Sequence, residues 1–129
     1  MRSFARVLAP GLVGPALLYL AGLGCDSRPS VDTSTTEATV KGTVTIKGKP
    51  ATKGKVVFDP SNYKRKDEQP RLSNIGPDGT YEIKTLVGPN TVKVDSPEAA
   101  KAASLYETYN YDVPSGTSTF DIVIPKPSN

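Results

Sequence analysis

Val40-Lys41-Gly42-Thr43-Val44-Thr45-Ile46-Lys47 is the stretch that decides the fold class. Val40, Val44 and Ile46 fall on one side of an extended chain, and Lys41, Thr43, Thr45 and Lys47 fall on the other. Successive side chains of a strand point to opposite faces, so this alternation describes a strand with one face buried and one in water. Gly42 suits a place where the strand bends or another backbone comes close.

The same alternation recurs downstream. Lys55-Val56-Val57-Phe58-Asp59 is a short strand ending at Pro60, and Thr80-Tyr81-Glu82-Ile83-Lys84 turns Tyr81 and Ile83 inward. Thr91 to Asp95 and Ser118 to Ile124 follow the pattern, and Arg71 to Ile75 follows it less regularly. Between them stand the turn signals Gly48-Lys49-Pro50, Pro77-Asp78-Gly79 and Gly88-Pro89-Asn90. Short strands at close spacing with polar turns predict an all-β fold, a single antiparallel β-sandwich of about seven strands. One segment departs from the pattern. Ser96-Pro97-Glu98 before Ala99, Ala100, Lys101, Ala102 and Ala103 predicts a helix near 97–105, with Ser96 as N-cap and Pro97 at the first helical position. Leu105, Tyr106 and Tyr109 are expected to pin its end to the core.

Upstream of the sandwich the composition changes twice. Arg2 and Arg6 precede the apolar run Val7 to Leu23, which ends at Gly24 and Cys25. A basic start, an apolar run and small residues before a cysteine form an export leader. Gly22-Leu23-Gly24-Cys25 resembles the lipobox of bacterial lipoproteins, which implies that Cys25 becomes the first mature residue and carries lipid. Gly24 fits that pattern, whereas Gly22 and Leu23 depart from it. Two other readings stand beside lipidation: plain secretion with cleavage after Ala21 or Gly24, and an uncleaved anchor. A membrane span needs about 20 apolar residues, and Val7 to Leu23 supplies 17, interrupted by Pro10 and Pro15. All three readings export the rest of the chain. Asp26 to Thr39 has almost no apolar content and is expected to be a disordered tether with a reach on the order of 20 Å. The domains are therefore 1–24 leader, 25–38 tether, 39–125 sandwich and 126–129 tail.

The order of the β pieces is similar to the carboxypeptidase regulatory-like, or transthyretin-like, sandwich of small bacterial lipoproteins. Val40-Lys41-Gly42-Thr43-Val44, Gly48-Lys49-Pro50 and Gly54-Lys55-Val56-Val57-Phe58 look like its opening. Asp78-Gly79-Thr80-Tyr81-Glu82-Ile83 resembles its second hallmark, a tight turn launching a central strand. Gly116 to Ile122 is like its closing strand. The resemblance covers about 85 of 129 residues, and it implies a scaffold rather than a chemistry. The hydrolases and iron dioxygenases found among such sandwiches depend on histidine.

This chain has no histidine and a single cysteine, which leaves no internal disulfide, no Cys nucleophile within the fold and no ordinary zinc site. Asp59 with Asp78 or Glu82 are the conceivable carboxylate partners for hydrolysis, but acids beside turns are ordinarily caps, so no catalytic residue and no cofactor is assigned. Calcium at Asp59, Asp67, Glu68 or Asp78 lacks any regular acidic spacing, and no metal site is assigned. Of 16 basic residues Arg2 and Arg6 lie in the leader, which leaves 14 against 13 acidic ones. Nucleic acid is therefore not an expected partner. Lys64-Arg65-Lys66 runs directly into Asp67-Glu68 and reads as a solvated loop. Tyr63, Tyr106, Tyr109 and Tyr111 remain as candidate contacts for a ligand or partner, because tyrosine offers apolar area with a polar tip. Sugar binding requires these rings to be exposed and coplanar. The alternative is that Tyr106 and Tyr109 cover the sandwich edge.

The expected function is that of a non-catalytic, lipid-anchored envelope protein. Cys25 is its attachment point to the membrane, and an envelope protein or polysaccharide is its partner. The alternatives are a carbohydrate-binding module and, more remotely, a carboxylate-dependent hydrolase.

Overall fold

The two-residue period is realised as two stacked sheets. The computed structural model describes residues 32–103 and 107–128. Within them the chain forms β1 (Glu37–Ile46), β2 (Lys49–Pro50), β3 (Lys55–Asp59), β4 (Arg71–Asn74) and β5 (Thr80–Leu86). After these come β6 (Gly88–Asp95), helix α1 (Pro97–Ala102), β7 (Tyr109–Val113), β8 (Thr117–Thr119) and β9 (Ile122–Ile124). One sheet is built around β1, with β5 and β2 antiparallel along one side and β8 and β9 parallel along the other. The second sheet is antiparallel in the order β4-β3-β6-β7.

The inward residues are those the alternation selects. Val40, Val44, Val56, Phe58 and Val92 are completely buried, and Ile83, Ile122 and Ile124 close the layer between the sheets. Each such side chain contributes about 1.5–3 kcal/mol when taken out of water, which is how a domain without disulfides holds together. Asp78-Gly79 launches β5 as expected, with Gly79 at φ +85°, a conformation that glycine adopts without a Cβ penalty. Ser96 caps α1, its Oγ accepting from the Ala99 amide at 2.9 Å.

The structure corrects several expectations. Nine strands form among the described residues rather than about seven, because Lys49–Pro50 folds back on β1, Tyr109–Val113, where no strand was expected, pairs with β6, and the closing strand is broken at Phe120-Asp121; Gly88-Pro89-Asn90, expected as a turn, opens β6. The sandwich is not purely antiparallel: the chain leaves β7, crosses to the other sheet and runs alongside β1 in the same direction. Among the described residues the strand launched by Asp78-Gly79 pairs only with β1 and lies at the edge of its sheet, with β1 in the centre. The helix stops at Ala102, since Ala103 is extended (φ −147°, ψ 179°). Leu105 and Tyr106, expected to pin it, lie outside the described residues.

Order also reaches further toward the N-terminus than composition implies. β1 begins at Glu37, Ala38 is buried, and the Thr36 carbonyl accepts from the Val87 amide at 2.9 Å. Both open sides of the sandwich are latched by side chains. Ser73 Oγ donates to the Glu82 carbonyl (2.6 Å), tying β4 to β5, and the Tyr109 hydroxyl donates to the Val123 carbonyl (2.7 Å), tying β7 to β9. Such closure blunts edges that would otherwise recruit further strands.

Candidate functional site

The strand registers give the sandwich two distinct ends. Glu37 pairs with Leu86, Asp59 with Thr91, Gly88 with Val113 and Thr39 with Thr117, so residues 32–37, the 60–70 loop and the 86–88 and 113–117 turns share one end. The 47–48 and 75–79 turns and α1 lie toward the other, where Ile46 pairs with Ile124 and Lys55 with Asp95. Cys25 itself lies outside the described residues. The chain that leads from it enters at Asp32, at the first of these ends.

There the 60–70 loop fastens the incoming chain. Asn62 Oδ1 accepts from the amides of Lys64 and Arg65, and its Nδ2 donates to the Asp32 carbonyl at 3.0 Å. Arg65 Nη1 donates to the carbonyls of Ser34 (2.8 Å) and Val87 (3.0 Å). The middle of the charged run is therefore not solvated: Arg65 is 5% exposed while Lys64 and Lys66 are exposed. Nothing in Lys64-Arg65-Lys66 distinguishes the central residue locally, because its burial is decided by Ser34 and Val87, far away in sequence. Behind it, the Asn90 side chain donates to the carbonyls of Leu86 and Gly88 and accepts from Thr85 Oγ1 (2.6 Å), holding the one-residue connection between β5 and β6.

Arg65→Met tests the clamp. Hydrogen bonds from a charged donor are worth about 1.5–3 kcal/mol each. Two are lost, but the desolvated guanidinium, whose Nε and Nη2 lack partners among the described residues, is removed as well. The expected net loss is about 1–2 kcal/mol. It should appear as a rise in hydrogen exchange that is larger at the Val87 amide than at Val40, because the clamp closes locally over Val87.

The candidate tyrosines are not gathered into one platform. Tyr111 stacks on Phe120 with ring centroids 4.4 Å apart and planes 18° from parallel. Tyr109 is part-buried, with the Lys126 ammonium 4.7 Å from its ring centre. Burial first, then the neighbouring Glu107 carboxylate, push its hydroxyl up to about 12, so it stays a donor at neutral pH. These two tyrosines cover the edge between the sheets. Tyr63, 60% exposed, is alone at the opposite end of the molecule from α1. Tyr106 lies outside the described residues.

The three acids considered for hydrolysis, Asp59, Asp78 and Glu82, are each occupied locally. Asp59 accepts from the Ser61 amide, Glu82 pairs with Lys41 at 3.3 Å, and Asp78 accepts from Thr80 Oγ1 and the Thr80 amide. Those bonds, the hydroxyl first, hold Asp78 below the ordinary carboxylate range. Among the described residues no group of three His, Cys, Asp or Glu is placed to hold a metal ion. Beside α1 a cleft of about 290 Å³ is bounded by Val57, Lys93, Asp95, Ala99, Glu107 and Tyr109. It offers one cation, two carboxylates and a tyrosine ring.

Fold and site together define a two-sheet, all-β sandwich domain with a pinned loop at one end and a helix-side cleft toward the other. No protein-family model matches the chain, and no curated protein matches it. Among solved structures it is similar to a DUF3823 family protein from Parabacteroides merdae, with a TM-score of 0.54 and 15% identity over 70% of this chain and 46% of that one. A DUF3823 family protein from Bacteroides ovatus matches with a TM-score of 0.47 and 16% identity over 68% of this chain and 43% of that one. The chain spans less than half the length of those structures. At this identity the likeness shows the β-rich fold.

Proposed function

We propose that this chain is an exported, lipid-anchored envelope protein whose sandwich, of the carboxypeptidase regulatory-like kind, acts without catalysis as an interaction module. The observation that carries the reading is the fastening of Asp32 and Ser34 to one end of the sandwich by Asn62 and Arg65. Lipid on Cys25 would hold that end toward a membrane and present the other end, with α1 and its cleft, to a protein or polysaccharide of the envelope. The engagement of Asp59, Asp78 and Glu82 in turns and an ion pair, on a chain without histidine, supports the non-catalytic part of the reading. The opening strand and the tight turn at Asp78-Gly79 support the domain type.

Cys25→Ala tests the anchor. The variant should lose incorporation of labelled fatty acid and move from the membrane fraction to the soluble fraction, while mass spectrometry of the unaltered protein should find an acylated Cys25 at the N-terminus. Membrane retention of the variant would overturn the reading.

A further inference from the structure

We infer that the Tyr63-Lys64 turn is a second membrane contact, a small aromatic and cationic tip that rests in the headgroup region of an anionic phospholipid surface. This rests on the anchored reading above and adds an oriented surface to it.

The argument begins with geometry. The Arg65 amide donates to the Asn62 carbonyl at 3.0 Å, and the bridge between Asn62 and Arg65 makes Tyr63 and Lys64 the two central residues of a tight turn. Asn62 and Arg65 spend their side chains on Asp32, Ser34 and Val87. The two residues between them are left in solvent. Tyr63 is 60% exposed, more than Leu72 or Val123. The Lys64 ammonium stands 5.8 Å from its ring centre, and Lys66 is exposed nearby in the chain. Asn62 Oδ1 accepts from the Lys64 and Arg65 amides and so holds the turn in shape. An exposed aromatic on a pre-formed turn loses little freedom when it is covered.

The length of chain outside the structure selects the covering surface. Seven peptide steps separate Cys25 from Asp32, and at about 3.6 Å per residue they span at most about 25 Å in any conformation. Asn62 is hydrogen-bonded to Asp32 itself, so the turn cannot lie far beyond that distance from the lipid. β1 alone, at about 3.3 Å per residue, carries the far end roughly 30 Å further away. Tyrosine favours the membrane–water interface, where its ring is apolar and its hydroxyl stays wet, and lysine is drawn to anionic headgroups. Among the described residues neither Lys64 nor Lys66 has a carboxylate partner, whereas Glu68 is paired with Arg71 at 3.4 Å and Asp32 and Asp59 accept from the Ser34 and Ser61 amides. Asp67 is the exposed acid beside the lysines in the chain, and Glu37 and Asp112 are exposed at the same end, so the contact depends on the turn itself, where Tyr63 and Lys64 project, rather than on a net positive end. A contact held at a lipid anchor's local concentration needs only weak intrinsic affinity.

The chain contains no tryptophan, so Tyr63→Trp gives a single reporter. The acylated full chain, purified from membranes, is reconstituted into phosphatidylglycerol vesicles and compared with Val123→Trp, whose position lies toward the far end. The expected result is blue-shifted emission at position 63, quenched by brominated acyl chains, with no quenching at 123. Lys64→Glu with Lys66→Glu in the Tyr63→Trp background should lose most of that quenching. So should replacement of phosphatidylglycerol by phosphatidylcholine. Unquenched emission at position 63 from chains that mass spectrometry shows to be acylated overturns this contact and leaves the anchor standing. An unacylated Cys25 in the same preparation overturns both.

Discussion

Gly42→Ala is expected to destabilise the sandwich by about 3 kcal/mol or more, because the added methyl has nowhere to go. A Cβ at Gly42 would lie 2.7 Å from the Phe120 carbonyl carbon, closer still to its oxygen, and 3.0 Å from Tyr81 Cε1. Gly42 is paired with Tyr81 on β5, and the Tyr81 hydroxyl donates to the Phe120 carbonyl at 2.5 Å on the other side of β1. The ring thus bridges the central strand at the one position without a side chain. Burial first, then Asp121, raise the Tyr81 hydroxyl above its ordinary range, so it remains a donor. At the same point the Phe120 amide donates to the Lys41 carbonyl (2.8 Å) and Asp121 Oδ1 accepts from the Thr43 amide (2.9 Å), spanning the break between β8 and β9. Overpacking costs about 1–3 kcal/mol or more, and each hydrogen bond lost adds about 1 kcal/mol. Total stabilities run about 5–15 kcal/mol, so the midpoint of urea unfolding should fall sharply. Tyr81→Phe alone should cost about 1 kcal/mol. In the Gly42→Ala background it should cost much less, because the bond it removes is already broken.

That junction also separates what was legible in the sequence from what was not. Alternation identified the inward residues of β1 and β5 and located β3, β6 and β9, because it is a local property of extended chain. The Ser96 cap and the Asp78-Gly79 turn were legible for the same reason, each being a bond or dihedral closed within a few residues. The close approach expected at Gly42 was legible as a need, but the group that approaches it, Phe120, is 78 positions away. Parallel pairing of β1 with β8 and β9 has no local signature, since alternation fixes a strand's face and not its neighbour or direction. The residues from 32 to 36 read as tether because composition reports apolar content. They are held by backbone and side-chain hydrogen bonds to Asn62, Arg65 and Val87, which composition does not count. Arg65 and Asn90 escaped notice on similar grounds: a buried polar residue looks like a surface one until its partners are in place. Tyr111 appeared available for a ligand only because Phe120, which it stacks on, is brought to it by the crossover between sheets.

Phe58→Ala should have a still larger effect on the core, about 3–5 kcal/mol. Phe58 is fully buried on β3, with the Tyr81 ring at 6.1 Å and the Phe120 ring edge-on at 6.4 Å and 83°. Phe120 in turn stacks on Tyr111. Tyr81, Phe58, Phe120 and Tyr111 form a chain of rings whose successive members come from opposite sheets, so removing Phe58 takes away contacts that join the layers as well as apolar area. Each such pair is worth about 0.5–1.5 kcal/mol beyond burial. For a domain of this size the melting temperature should fall by roughly 4–8 °C per kcal/mol. Phe58→Leu, which keeps apolar bulk but loses both ring pairs, should cost about 1–3 kcal/mol, less than Phe58→Ala. Leu72→Ala, at a side chain 59% exposed on β4, should stay within about 0.5 kcal/mol. The ring chain makes a further demand on Tyr111: both it and Phe58 position Phe120, so Phe58→Ala and Tyr111→Ala should be non-additive by at least about 0.5 kcal/mol. Strict additivity would separate Tyr111 from the core and return it to the surface residues available to a ligand.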